Sequence, residues 1–117
     1  MHEFSICHFL IKALDQEYDA IDPAPTGLAS VKVTVGGMHQ IVPDYLTGAY
    51  SALTADTRFE GSELKLNYTT VRGRCPACDW QGAIDPPLFV CPECSQTGVE
   101  LTSGKELFIE TLEVETC

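Results

Sequence analysis

Basic residues are scarce in this chain: 7 lysines and arginines stand against 17 aspartates and glutamates, a formal net charge of −10 over 117 residues. A surface of that sign repels phosphate backbones and anionic lipid headgroups, so neither nucleic acid nor a membrane is expected as a partner. Long apolar runs are also missing, and none approaches the ~18 residues that a membrane-spanning helix needs. The first residues lack a basic stretch leading into an apolar one, so no secretory signal is expected. A cytoplasmic protein is the expectation, and there paired cysteines read as metal ligands rather than disulfides. A glycine-rich phosphate loop, a nucleophile–base pair and an open metal site are absent too, which argues against an enzyme. The length leaves room for one compact domain, or one domain plus a small stapled module.

What the chain does have is two cysteine pairs, Cys75-Pro76-Ala77-Cys78 and Cys91-Pro92-Glu93-Cys94, separated by twelve residues. Each C-x-x-C bends into a knuckle whose two sulfurs converge on one ion, and Pro76 and Pro92 favour the bend by fixing φ. Four thiolates satisfy tetrahedral zinc and leave no position for water or substrate, so the site is structural. Zinc heads the candidates, ahead of a rubredoxin-like iron centre and, in a cytosolic chain, a pair of disulfides. A ribbon of roughly 25 residues cannot bury enough surface to fold alone, so metal binding supplies its folding energy. Trp80, Leu88, Phe89 and Val90 are expected to cluster beneath the metal. Arg72 and Arg74 are outnumbered by Asp79, Asp85 and Glu93, a poor balance for phosphate contact.

Around this module the pattern is mixed. Phe4, Cys7, Ile11, Leu14, Tyr18 and Ile21 recur at spacings of three and four, the stripe of a helix starting near Ser5 as N-cap. The segment 22–27, with Pro23, Pro25 and Gly27, ends it. Val31, Val33 and Val35 alternate with Ser30, Lys32 and Thr34 as a half-buried strand that Gly36-Gly37 closes. Pro43 opens a second helix with Leu46, Ala49, Tyr50 and Leu53 on its apolar face, although Gly48 weakens it by roughly 1 kcal/mol. Leu64, Leu66 and Tyr68 mark a second strand. Leu107-Phe108-Ile109 leads into Leu112 and Val114, a last strand whose apolar phase shifts midway, as a bulge or burial on both faces would cause. The expected architecture is α+β: two helices on a small mixed β-sheet with an inserted zinc-ribbon domain. The first domain takes residues 1–70 and 99–117, the ribbon 71–98. Cys7 reads as a buried inert thiol, His8 and His39 as surface residues, and Cys117 as a terminal free thiol. Asp15, Glu17 and Asp19 read as a solvated edge.

The chain opens Met1-His2-Glu3. The amine of Met1 with the amide nitrogen and imidazole of His2 can close fused chelate rings, and the amide of Glu3 can supply a fourth nitrogen. Four nitrogens in a plane suit Ni²⁺ or Cu²⁺ better than Zn²⁺ or Mg²⁺. Because amides must lose protons, such a site weakens as pH falls. This triplet, the two cysteine pairs and the closing segment from Gly104-Lys105-Glu106-Leu107 to Glu113-Val114-Glu115 together resemble the HypA/HybF family of hydrogenase nickel-incorporation proteins. The resemblance implies a metallochaperone that passes exchangeable Ni²⁺ toward the large subunit of [NiFe]-hydrogenase, or in some members urease, together with the GTPase HypB. It implies that His2 is the essential nickel ligand, that Glu3 contributes a backbone nitrogen or tunes the site, and that Cys75, Cys78, Cys91 and Cys94 hold structural Zn²⁺. The competing reading is a zinc-ribbon interaction adaptor in which His2 is incidental.

Overall fold

A computed structural model describes residues 2–86 and 89–116, so the expectations placed on Met1, Leu88 and Cys117 fall outside the described residues. Among these, the order of elements is α1 (His2–Asp19), β1 (Gly27–Gly36), α2 (Pro43–Thr54), β2 (Glu63–Thr69), β3 (Arg72–Arg74), β4 (Gln81–Ala83), β5 (Glu100–Ser103) and β6 (Leu107–Glu115). They form two compact units. One comprises the chain up to Thr34, Ile41–Asn67 and the chain from Phe108; the other comprises Val35–Gln40 and Tyr68–Leu107.

Helix α1 starts at His2, and Ser5 lies inside it rather than capping it. Its first turn is held by a tertiary contact instead: the buried Glu3 carboxylate accepts the Val42 N–H at 3.3 Å. The buried stripe is Glu3, Cys7, Leu10, Leu14 and Tyr18. Leu10 therefore takes the place expected for Ile11, and Phe4, expected inside, is 38% exposed. Helix α2 does begin with Pro43 in its first turn and buries Leu46, Ala49, Tyr50 and Thr54. The segment between α2 and β2 is anchored by Phe59, 2% exposed, whose ring meets Tyr18 edge-on at 5.3 Å. Arg58 lies 4.7 Å from the Tyr18 ring centre and pairs with Asp15 at 2.9 Å and Asp19 at 2.8 Å. Two of the three carboxylates read as a solvated edge are thus the anionic half of a clamp.

The first sheet has the order β2-β1-β6. Thr26 donates to Glu115 and Gly36 to Glu106, so β1 and β6 run antiparallel, with one residue more on β1 between those points. That is the signature of an irregular, bulged ladder. The C-terminal ends of β1 and β2 lie together, Gly37 beside the Thr69 carbonyl, which makes the sheet mixed. As the central strand β1 is more buried than its alternation suggests. Even Ser30 and Thr34 are buried, donating to Glu113 at 2.9 Å and Glu110 at 2.8 Å. On β6 the burial phase shifts across Glu110 and Thr111, and its apolar residues are at most half-buried.

In the second unit β3 pairs antiparallel with β4 on one side and β5 on the other. Its core is Val71, Cys75, Ile84, Cys91 and Val99, with Met38, Trp80, Phe89 and Leu101 packed around it. The expected cluster is right for Trp80 and Phe89. Val90 is instead 41% exposed, in an isolated bridge to Thr97.

Candidate metal centre

The two knuckles fold by the same pair of backbone bonds. Asp79 N–H donates to the Cys75 carbonyl at 2.8 Å and Cys75 N–H to Trp80 at 2.7 Å; Ser95 N–H donates to Cys91 at 2.8 Å and Cys91 N–H to Gln96 at 3.0 Å. Each turn ends on a residue in the left-handed region, Asp79 at φ 63° and Ser95 at φ 61°. Asp tolerates that conformation better than most side chains, and the Arg74 guanidinium also holds its carboxylate.

These turns bring four thiols together. Cys75 Sγ lies 3.6 Å from Cys94 Sγ, Cys78 Sγ lies 3.6 Å from Cys91 Sγ, and all four sulfurs fall within 4.8 Å of one another. A zinc–sulfur bond of ~2.3 Å gives a tetrahedral edge of ~3.8 Å, whereas a disulfide needs ~2.05 Å. The spacing fits one ion shared by four thiolates, and all four cysteines are free. Ionisation follows the same logic. Burial opposes it at Cys75, but the N–H groups of Cys78 and Ala77 outweigh burial and bring its pKa to about 7. At Cys78 the Trp80 N–H favours the thiolate, but desolvation and the three neighbouring sulfurs outweigh it and push the pKa up to about 12. Four such groups ionise together only around a cation. With every corner taken by sulfur, the cage can hold a metal but cannot offer it to a substrate.

The second group lies at the start of α1. The His2 imidazole is 52% exposed, with Nε2 3.5 Å from Glu3 Oε2, whose side chain is only 8% exposed. The amide nitrogens of His2 and Glu3 belong to the first turn of α1, where the Glu3 N–H bonds its own carboxylate. Burial raises the Glu3 pKa, but its own N–H, that of Val42 and the His2 imidazole more than compensate and hold it below 4.5. Glu3 thereby ties the first turn of α1 to Val42, the residue just before α2, a role that sequence reasoning missed. The signal was there: α2 starts Val42-Pro43, with no Ser, Thr, Asp or Asn at the cap position. Of the other candidates, Cys7 is fully buried with its thiol pushed by desolvation to about 11. His8 is exposed, and His39 Nε2 sits 3.1 Å from the Lys105 carbonyl in the surface turn Gly37–His39.

A small α+β fold carrying a closed four-cysteine cage defines a metal-handling protein with a structural ribbon. Residues 1–114 match the family described as hydrogenase/urease nickel incorporation, metallochaperone, hypA. Relatives along the full length include the hydrogenase maturation factors HypA of Solidesulfovibrio magneticus, 37% identical with 98% of this chain and 100% of the relative covered, and of Desulfitobacterium hafniense, 33% identical with 98% and 99% covered. The chain belongs to this HypA family of nickel-incorporation metallochaperones for hydrogenase maturation. Its fold is also that of the Ni metallochaperone HypA from Helicobacter pylori in solution, with a TM-score of 0.67 at 18% identity over 97% of both chains.

Proposed function

We propose that this chain carries Ni²⁺ as cargo on nitrogens of Met1, His2 and Glu3 and delivers it to the large subunit of [NiFe]-hydrogenase, working with the GTPase HypB. Structural Zn²⁺ is held by Cys75, Cys78, Cys91 and Cys94. The first unit is the nickel-binding domain, the second contains the zinc ribbon, and the protein acts in the cytoplasm without enzymatic turnover. The observation that carries this reading is an exposed imidazole in the first turn of α1, in a family of nickel-incorporation proteins. Such ligands are accessible to a competing ligand set, so transfer occurs by ligand exchange. The cage supplies folding energy to its ribbon when zinc is bound. Glu3 is a positioning residue: by holding the Val42 N–H it fixes the first turn of α1, and with it the nitrogens of His2.

The test is nickel and zinc stoichiometry of untagged protein beside His2→Ala. Binding of about one nickel in the wild type, lost in the variant while about one zinc persists in both, is the expected outcome. Equal nickel binding in the two proteins would remove His2 from the site.

A further inference from the structure

Between the first turn of α1 and helix α2 lies an open groove of about 350 Å³ lined by Glu3, Phe4, Asp44, Tyr45, Gly48 and Ala49. Its aromatic walls are left open to solvent: Phe4 is 38% and Tyr45 65% exposed. A glycine in a helix interior destabilises by roughly 1 kcal/mol against alanine, so it needs a reason. Gly48 has none within this chain. A Cβ built on it meets nothing within 4 Å, and its backbone is not in the left-handed region. The fold neither packs against Gly48 nor bends there; what the missing side chain does is keep the floor of the groove open.

We infer that this groove docks an apolar side chain from a basic segment of the protein that receives the nickel. Charge selects the occupant. The two side chains in the lining that carry charge at neutral pH are carboxylates, Glu3 and Asp44, on a chain of net charge −10. A second copy of this chain brings the same acidic surface and is repelled, whereas a partner segment with lysine or arginine beside its anchor is attracted and oriented. The anchor enters over Gly48 between Phe4 and Tyr45, and its cationic neighbour faces Asp44. Since Glu3 also adjoins His2, the docked segment comes to rest next to the proposed nickel ligands. This inference rests on the nickel-delivery reading and deepens it by placing the recipient.

The experiment titrates nickel- and zinc-loaded protein with the purified nickel-free large subunit of the [NiFe]-hydrogenase of the same organism, comparing wild type, Gly48→Ala, Gly48→Leu and Asp44→Asn. Both Gly48 variants should melt at or above the wild-type temperature and keep full nickel stoichiometry, because the added atoms fill only the groove. Gly48→Leu should weaken large-subunit binding at least tenfold, and Asp44→Asn a few-fold with a shallower salt dependence. Binding of Gly48→Leu within twofold of wild type, or no binding by the wild type, overturns the docking site. So does concentration-dependent dimerisation that Gly48→Leu abolishes, since the groove would then hold a second copy. Failure of nickel binding in the wild type itself strikes at the delivery reading instead, so the two failures are distinguishable.

Discussion

Gly36, the last residue of β1, sits where the chain passes closest to itself, and replacing it with alanine should be among the costliest single-atom additions in the second unit. A Cβ at Gly36 would lie 2.0 Å from the Gly104 carbonyl oxygen, 2.2 Å from its carbon and 2.7 Å from the Lys105 nitrogen. All three are backbone atoms, so no side-chain rotation relieves the clash. Ordinary contact begins at 3.4 Å, so the strands must part by more than an ångström. Gly104 cannot slide away cheaply, because it is held at φ 110° with its own Cβ position 2.7 Å from the Val71 Cα. Parting breaks two bonds, Gly36 N–H to Glu106 at 2.7 Å and Met38 N–H to Gly104 at 2.9 Å. Overpacking costs ~1–3 kcal/mol and each lost bond ~0.5–1.5, together roughly 2–6 kcal/mol. Trp80, the single tryptophan, packs on the core of this unit, so its fluorescence during urea unfolding of the zinc-loaded protein reports the change. Gly48→Ala serves as control, with no steric cost and a small gain in helix propensity. A Gly36→Ala variant within ~0.5 kcal/mol of wild type, well below the overpacking range, would refute the close approach.

Removing zinc with a strong chelator should shift Trp80 fluorescence and erase the amide signals of β3, β4 and β5 while those of α1 and α2 persist. An unchanged Trp80 signal would show that the ribbon folds without its metal. Acidification should act through Glu3: its folded pKa lies below its ordinary 4.5, so its contribution is complete above 4.5 and is lost as pH falls through the lower folded value. Glu3→Gln should therefore lose less stability than wild type on acidification through that window; parallel pH curves for the two proteins would remove Glu3 from the linkage. Cys7, buried and with its thiol near 11, should resist iodoacetamide at mildly alkaline pH until the protein unfolds, as peptide mass mapping would show. Rapid native labelling would place it on an accessible face.

Much of this molecule is legible in its sequence because local chemistry dictates it. The two C-P-x-C turns specify the cage directly, since a knuckle needs only its own few residues and a shared ion. Pro43 marks the start of α2 for an equally local reason, its fixed φ and missing N–H. What is not legible is set by partners distant in the chain. The stripe of α1 turns by about one residue, from Phe4 and Ile11 to Glu3 and Leu10, because a carboxylate with an N–H to accept from Val42 goes inside ahead of a phenylalanine without a pocket. Ser30 and Thr34 are buried although their alternation points to solvent, because Glu113 and Glu110 on β6 arrive to accept from them. Val90 stays 41% exposed in its bridge to Thr97, a pairing that no hydrophobicity pattern records.

Glu3 shows why the second residue and the third must be read together. A histidine at the end of a helix is ordinarily a mobile surface side chain, and a mobile ligand surrenders conformational entropy on binding a metal. Here the adjacent residue is pinned: its carboxylate is buried and accepts from the Val42 N–H just before α2, and His2 follows its backbone. The same carboxylate lines the groove over Gly48. A single side chain thus meets the first turn of α1, the start of α2 and the floor where a recipient segment would rest. Under the delivery reading, Glu3 would then stand between cargo and recipient, whereas the thiolate cage, closed on all four sides, has no position for an exchanging ligand.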